Sequence, residues 1–405
     1  MKSSLWLLLI CRGVLSAGFS ISFPFMAIYL NREREVSMSH VGGLLSLMLC
    51  VTAIGHTLGG ELSDLLGRKK VIEISLVARV LSAAALSLAV AWRWPVAAIA
   101  GLIAFSSLFV GFLDPGIRSW IAERVPAAER IRAFGQLRVA VNAGWAVGPM
   151  VGGFLAEGSY PILFAATSLV CALCLAVLHC SLEDPGPARS SERLSLRLML
   201  SAVGDRQFLE FCLYSCLAGT VLIQLIASLS VHSIRFAGLR EAEVGLLFSL
   251  NGLLVIAFQN LVSSRLSRLR ITVAMALGSL FYAVGFTAVG FAGGFAAMVA
   301  AVTVITMGEL AVMPGLHTLT ANLAPERFRG RYMGLQGLAF EAGAAMGPLL
   351  GGLGLQYVSP RWSAGPWVCV GMLSTLVGVG FYRLGRRLAP HADGAASLAM
   401  TGGSS

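Results

Sequence analysis

Apolar residues run through this chain in blocks of about twenty, broken by short polar stretches rich in Gly, Pro and Arg. Twelve such blocks fall at 5–30, 40–62, 71–91, 97–121, 135–156, 161–181, 208–233, 242–262, 271–291, 296–321, 333–356 and 366–384. A helix of that length covers the ~30 Å hydrocarbon core of a bilayer, so the pattern predicts an all-α membrane protein with twelve transmembrane helices. The one long polar interruption, Ser181 to Gln207, carries Pro185, Gly186, Pro187 and several charges. It divides the chain into a six-helix bundle at 1–181, a central loop at 182–207 and a second bundle at 208–388, followed by a small, polar tail at 389–405 that is expected to be disordered. Within the loop, Arg193-Leu-Ser-Leu-Arg197-Leu-Met-Leu mixes basic and apolar residues as a surface-lying helix would, and a plain linker fits it equally well.

The halves are related. Gly144-x-x-x-Gly148-Pro149-x-x-Gly152-Gly153 recurs as Gly343-x-x-x-Gly347-Pro348-x-x-Gly351-Gly352, shifted by 199 residues. At the same shift, Pro115-Gly116 and Arg130/Arg132 recur as Pro314-Gly315 and Arg329/Arg331. Parallel repeats of this kind place two similar, pseudo-symmetric bundles side by side. Small residues at four-residue spacing let helices approach closely in lipid, and the proline removes one backbone hydrogen bond, so such a helix is expected to pack tightly and to act as a hinge.

Composition agrees with the pattern: 57% of the 405 residues are apolar and 12% charged, and the mean hydropathy is +0.80. The net charge of +10 reads as topology rather than nucleic-acid affinity. With the N-terminus cytoplasmic, alternate loops carry twenty Lys and Arg residues, from Lys2 and Arg68/Lys69/Lys70 to Arg383/Arg386/Arg387, against six on the opposite side. Both termini of a multi-pass inner-membrane protein are therefore expected in the cytoplasm. Arg12 interrupts the first apolar block, which reads as a span rather than a signal peptide. The eight cysteines lie in or beside apolar blocks and read as small packing residues, Cys171-x-x-Cys174 included.

The segment after the second block reads Gly60-Glu-Leu-Ser-Asp64-Leu-Leu-Gly67-Arg68-Lys69-Lys70. It resembles the signature between the second and third helices of major facilitator superfamily transporters. The Gly-Pro pattern resembles the fifth-helix signature of that superfamily's drug/proton antiporters, the 12-helix DHA1-type subgroup. The resemblance covers essentially the whole chain and implies the major facilitator fold, with a loop that latches one conformation. In physical terms, Gly60 and Gly67 are expected to allow a tight turn, Asp64 to accept hydrogen bonds from a helix N-terminus or Arg68, and Arg68 and Lys69 to lie near lipid phosphates. The second-half counterpart, Ser263-Ser-Arg265-Leu-Ser-Arg268-Leu-Arg270, keeps the charge and lacks the Asp and Gly. Another departure is that Phe105-Ser-Ser107-Leu-Phe-Val-Gly111 in the fourth span has no Arg, where the antiporter subgroup carries one.

Charges left inside apolar blocks are costly and mark candidate sites. They are Arg12, Arg79, Asp114, Arg118, Glu309 and Glu341, with Arg138 and Glu210 nearer span ends. Asp114 and Glu309 are candidates for proton uptake, Arg12 is the candidate partner for either, and Glu341 is a cavity or hinge candidate. Arg118 is expected to pair with Asp64 or to reach phosphates, and Arg79 has no assigned role. The aromatic run Phe19-Ser-Ile-Ser-Phe23-Pro-Phe25-Met26 offers an apolar wall.

No metal-ligand spacing and no phosphate-binding Gly-x-x-x-x-Gly-Lys-Ser/Thr loop occurs, so neither a metal nor a cofactor is expected, and a proton gradient is the expected energy source. No nucleophile, base and orienting group recur at useful spacing, which argues against an enzyme. The expected function is secondary transport of a small amphipathic or hydrophobic organic compound by a monomer in contact with membrane lipids, with efflux by proton antiport first. Uptake or facilitated passage of a metabolite, siderophore or lipid, and a non-transporting sensor or scaffold, are the alternatives.

Overall fold

A computed structural model of the chain describes residues 2–182, 205–325, 329–390 and 392–394. Among these residues there are helices and connecting turns and no strand. The helices are α1 (Lys2–Ile28, continued by a wider turn over Tyr29–Glu33), α2 (Met38–Leu66), α3 (Arg68–Ala91), α4 (Val96–Arg124), α5 (Ala127–Gly158), α6 (Tyr160–Ser181), α7 (Arg206–Leu222), α8 (Glu241–Leu266), α9 (Ile271–Phe291), α10 (Phe295–Leu323), α11 (Arg329–Leu353) and α12 (Gly365–Gly385). Twelve helices are long and apolar enough to cross a membrane, one for each block read from the sequence. The central-loop helix expected near Arg193 lies outside the described residues.

Local sequence sets the helix ends. Asp205 caps α7 by accepting from the Gln207 and Phe208 N–H groups at 3.0 and 3.1 Å. Gly67 stands between α2 and α3 at φ 98°, a left-handed conformation that favours glycine. The seventh block, read as one span over 208–233, is broken at Ile223 and Ser228 into α7 and the short helices Gln224–Ala227 and Leu229–Arg235. Polar side chains at the break explain it. Gln224 Nε2 donates to the Thr220 and Gly347 carbonyls at 3.2 and 2.7 Å, and Ser228 Oγ donates to Gln224 Oε1 at 2.5 Å.

The chain forms two compact units, Met1–Glu192 with Leu239–Ile256 and Arg193–Gly238 with Ala257–Ser405. In the first, α1 packs on α5, α2 on α4 and α3 on both α4 and α6; in the second, α7 packs on α11 and α9 on both α10 and α12. The first unit departs from the 1–181 half by including the start of α8. Gly153 and Gly252 make this possible, since a Cβ on Gly153 would lie 2.6 Å from the Glu241 carbonyl oxygen and one on Gly252 would lie 2.8 Å from Ala146 Cα. Ser249 of α8 also accepts from the Met150 N–H at 3.1 Å, next to Pro149. In the tail expected to be disordered, Ala392 and Asp393 are buried in the second unit, as is Leu388 just before it. Residues 395–405 lie outside the described residues.

The repeated glycines carry the main pairing in each unit. A Cβ on Gly144 would lie 2.6 Å from Ser16 Cβ and 2.7 Å from Ala17 N, and one on Gly152 would lie 2.8 Å from Phe25 Cε2. On α11, a Cβ on Gly343 would lie 3.0 Å from Cys216 Cα, and one on Gly347 would lie 3.0 Å from the Thr220 carbonyl oxygen. Equivalent hydroxyls join the pairs, Ser20 Oγ donating to the Gly144 carbonyl at 3.3 Å and Thr220 Oγ1 to the Gly343 carbonyl at 3.0 Å. The two helices with the Gly-Pro pattern, α5 and α11, run unbroken past Pro149 and Pro348.

Gly60 behaves differently from the turn residue that the sequence suggested. It lies inside α2, seven residues before Gly67, and a Cβ there meets nothing within 4 Å in its unit. Gly144→Val and Gly343→Val are therefore expected to lower stability by about 1–3 kcal/mol each through overpacking. Gly60→Ala is expected to leave the thermal midpoint of the purified protein unchanged, and midpoints of the three variants check this.

Candidate substrate and proton-coupling site

Arg12 of α1 and Asp114 of α4 form an ion pair inside the first unit. Arg12 Nε donates to Asp114 Oδ1 at 3.0 Å and Nη2 reaches the same oxygen at 2.9 Å, with the side chains 16% and 29% exposed. One carboxylate oxygen thus takes two charge-assisted contacts while the group stays partly accessible, as a proton-exchanging site requires. His56 of α2 and Arg118 of α4 lie within the electrostatic field of Asp114. Arg118 is exposed, and its charge acts on this cluster.

α1 and α5 also line a groove of about 710 Å³, with Trp6, Ile10, Val14, Gln136, Val139 and Val147 among its walls and neither Arg12 nor Asp114. Its lining is apolar apart from Gln136 and the Trp6 indole. The aromatic run of α1 contributes elsewhere: Phe23, Phe25 and Met26 are buried, Phe25 against α5 at Gly152, and Phe19 stacks on Phe23 with ring centres 4.9 Å apart.

The second unit holds the other two carboxylates. Glu309 of α10 is half-buried and in the field of Tyr282 on α9, whereas Glu341 of α11 is exposed on the unit's surface. A groove of about 300 Å³ between α7, α11 and α12 is lined by Gln224, Ser228 and Trp367 and includes neither glutamate. Of the candidates, the structure brings together Arg12 and Asp114.

At the α2–α3 turn, Arg68 is 3% exposed. Its guanidinium meets Asp64 Oδ1 at 2.7 Å, donates to Glu123 Oε1 through Nε and Nη2 at 3.0 and 2.7 Å, and donates to the Ser63 carbonyl. Arg68 is therefore a buried clamp between α2, α3 and the end of α4 rather than a phosphate-facing residue. Lys69 donates to the His179 carbonyl on α6 at 2.8 Å. At the corresponding turn before α9, Arg270 Nε donates to Asp393 Oδ2 at 2.9 Å and Nη2 to the Gly385 carbonyl at 2.6 Å. Asp393 has no exposed surface and also accepts from Thr272 N and Oγ1 at 2.8 and 2.7 Å. The acid missing from the second-half loop is thus supplied from beyond α12.

The profile of the Major Facilitator Superfamily matches residues 8–281 and 236–399. The chain belongs to this superfamily. Among its relatives, the MFS-type transporter YttB of Bacillus subtilis is 25% identical over 369 residues, with 87% of this chain and 88% of the relative covered. The quinolone resistance protein NorA of Staphylococcus aureus is 23% identical over 340 residues, covering 83% of this chain and 85% of the relative. The solved structure of the nucleoside transporter NupG has a TM-score of 0.80 at 15% identity, with 95% of this chain and all of that one covered. A POT family transporter in complex with a thioalcohol-conjugated peptide has a TM-score of 0.79 at 13% identity, with 95% and 96% covered. These matches make the chain a multi-pass membrane transporter with the major facilitator fold.

Some residues that hold this major facilitator chain together escape sequence reading. Glu123 is one of two acids, with Glu129, in the Arg-rich stretch between the fourth and fifth blocks, which was its one available signal. Glu241, at the start of α8, meets Arg32 Nη1 at 2.6 Å and accepts from the Tyr160 hydroxyl at 3.2 Å. Asp393 gave no signal, lying in a tail of small polar residues. Asp393→Ala would strand the Arg270 guanidinium and the Thr272 N–H, and a loss of about 1–3 kcal/mol is expected. A chain ending at Gly394 is expected to keep the full-length thermal midpoint, and one ending at Ala389 to show the loss.

Proposed function

We propose that this chain is a secondary active transporter of the inner membrane, with both termini cytoplasmic, that exports a small amphipathic or hydrophobic organic compound in exchange for protons. The Arg12–Asp114 pair carries the reading, because it places a partly accessible carboxylate, matched by one arginine, inside a bundle whose α1 and α5 also line an apolar groove. Likeness to a quinolone resistance protein supports an apolar, drug-like cargo.

In this reading Asp114 takes a proton when its site faces the outside and loses its hold on Arg12, since a neutral carboxyl offers the guanidinium no opposite charge. After the two bundles rock to the inward-facing state, Arg12 pairs again with the carboxylate and the proton leaves to the cytoplasm. Cargo enters the apolar groove and is carried outward in the return. One pH unit with 100 mV gives about 3.7 kcal/mol per proton, enough to hold a roughly 500-fold gradient of a neutral cargo.

The test is transport in proteoliposomes with an imposed pH gradient, using fluorescent amphipathic compounds and a quinolone. Asp114→Asn is expected to reduce gradient-driven movement to the level of protein-free liposomes while counterflow of cargo persists. Glu309→Gln is expected to retain both. Full gradient-driven transport by the Asp114 variant would remove that residue from coupling, and immobility of every compound in the wild type would favour the sensor reading.

A further inference from the structure

Arg79 lies in the middle of α3 and is 4% exposed. Unlike Arg12, Arg68 and Arg270, it has no ion pair and no side-chain hydrogen bond among the described residues. A guanidinium cannot shed its charge at any ordinary pH, so burial without a counter-charge is the costliest arrangement available to a side chain. Its surroundings offer a remedy. Arg79 lines a partly open cavity of about 50 Å³ inside the first unit, walled by Ser22 of α1, Ser106 and Ser107 of α4 and Thr167 of α6, with Phe19 and Phe164 at its apolar sides.

The hydroxyls are not equivalent. Thr167 Oγ1 donates to the Gly18 and Leu163 carbonyls at 2.8 and 2.9 Å, and Ser107 Oγ to the Ile103 carbonyl at 2.8 Å. Ser22 Oγ donates only over a long 3.4 Å to the Phe19 carbonyl and accepts from Thr167 Oγ1 at 3.3 Å, and Ser106 makes no hydrogen bond among the described residues. These two can rotate to donate into the cavity beside the guanidinium. The space is ample for a water and too small for a drug-sized molecule.

We infer that this cavity is a binding site for one small monovalent anionic group, held by the Arg79 guanidinium with Ser22 and Ser106 as hydroxyl donors. The group is either a free anion of chloride or formate size or the carboxylate of the transported compound. Water alone would fill the space and leave the charge unmatched.

Two arms test this and separate the sources. In the first, which does not depend on transport, the thermal midpoint of the full chain in detergent is followed as gluconate is replaced by chloride, bromide or formate at constant ionic strength. A saturable rise in the wild type that is absent in Arg79→Gln supports the site, with Arg79→Lys giving a weaker response. In the second, proteoliposomes carry an amphipathic carboxylate and its neutral amide. Loss of carboxylate movement in Arg79→Gln with the amide retained assigns the site to the cargo, whereas anion-dependent stability with both compounds unaffected assigns it to a free anion. Should Arg79→Gln fail to fold, the wild-type titration and Arg79→Lys decide. A midpoint indifferent to small anions, together with equal treatment of carboxylate and amide in wild type and in the foldable variant, would overturn the inference.

Discussion

In lipid no hydrophobic force drives one apolar helix onto another, so each bundle depends on how closely two backbones can approach. Here that approach is made at the α1–α5 and α7–α11 crossings, where Gly144 and Gly152, and Gly343 and Gly347, leave room for the opposing main chain. Contact this close brings carbonyl oxygens within reach of side-chain hydroxyls, and both crossings are closed by the same kind of bond, Ser20 to Gly144 and Thr220 to Gly343. Without a Cβ in the way, dispersion and these hydrogen bonds together replace what water exclusion supplies in a soluble core.

A second constraint follows from the same medium. Each charge drawn into a bundle has to be answered, and the answers differ by position. Arg68 is answered by two acids and a carbonyl, Arg270 by one acid and a carbonyl, and Arg12 by the single oxygen of Asp114. The turn residues are over-matched, as a clamp that fixes helix ends should be. Asp114 has one hydrogen-bonded cation and remains partly accessible. Among the described residues no acid matches Arg79, and that places it outside the logic of the clamps.

Much of this was legible in the sequence because it is periodic. Block length gave the twelve spans, and the fixed shift of 199 residues gave the repeat. The Arg12–Asp114 contact was accessible because so few charges lie in apolar blocks that the candidates are few. What stayed hidden depends on helix rotation and on chain returning from afar. Glu123 reaches Arg68 across 55 residues and Asp393 reaches Thr272 across 121, and neither distance leaves a mark on local pattern. Gly60 was placed in the turn because glycines in a loop motif look alike, yet Gly67 alone has the left-handed backbone. The break after α7 was hidden because Gln224 and Ser228 are too few to lower the hydropathy of the block.

The repeat also separates what is scaffold from what is chemistry. At the shift that carries Pro115 onto Pro314, Asp114 corresponds to Met313, Val110 to Glu309 and Asn142 to Glu341. The packing glycines are kept in both halves, whereas each of these carboxylates stands in one half only. Two bundles built on one helix-packing plan can therefore carry unlike interiors, because the crossings that hold a bundle together do not use the positions that hold its charges. That independence lets a charged site be gained or lost in one half at no cost to the fold, provided the new charge finds its own answer within reach.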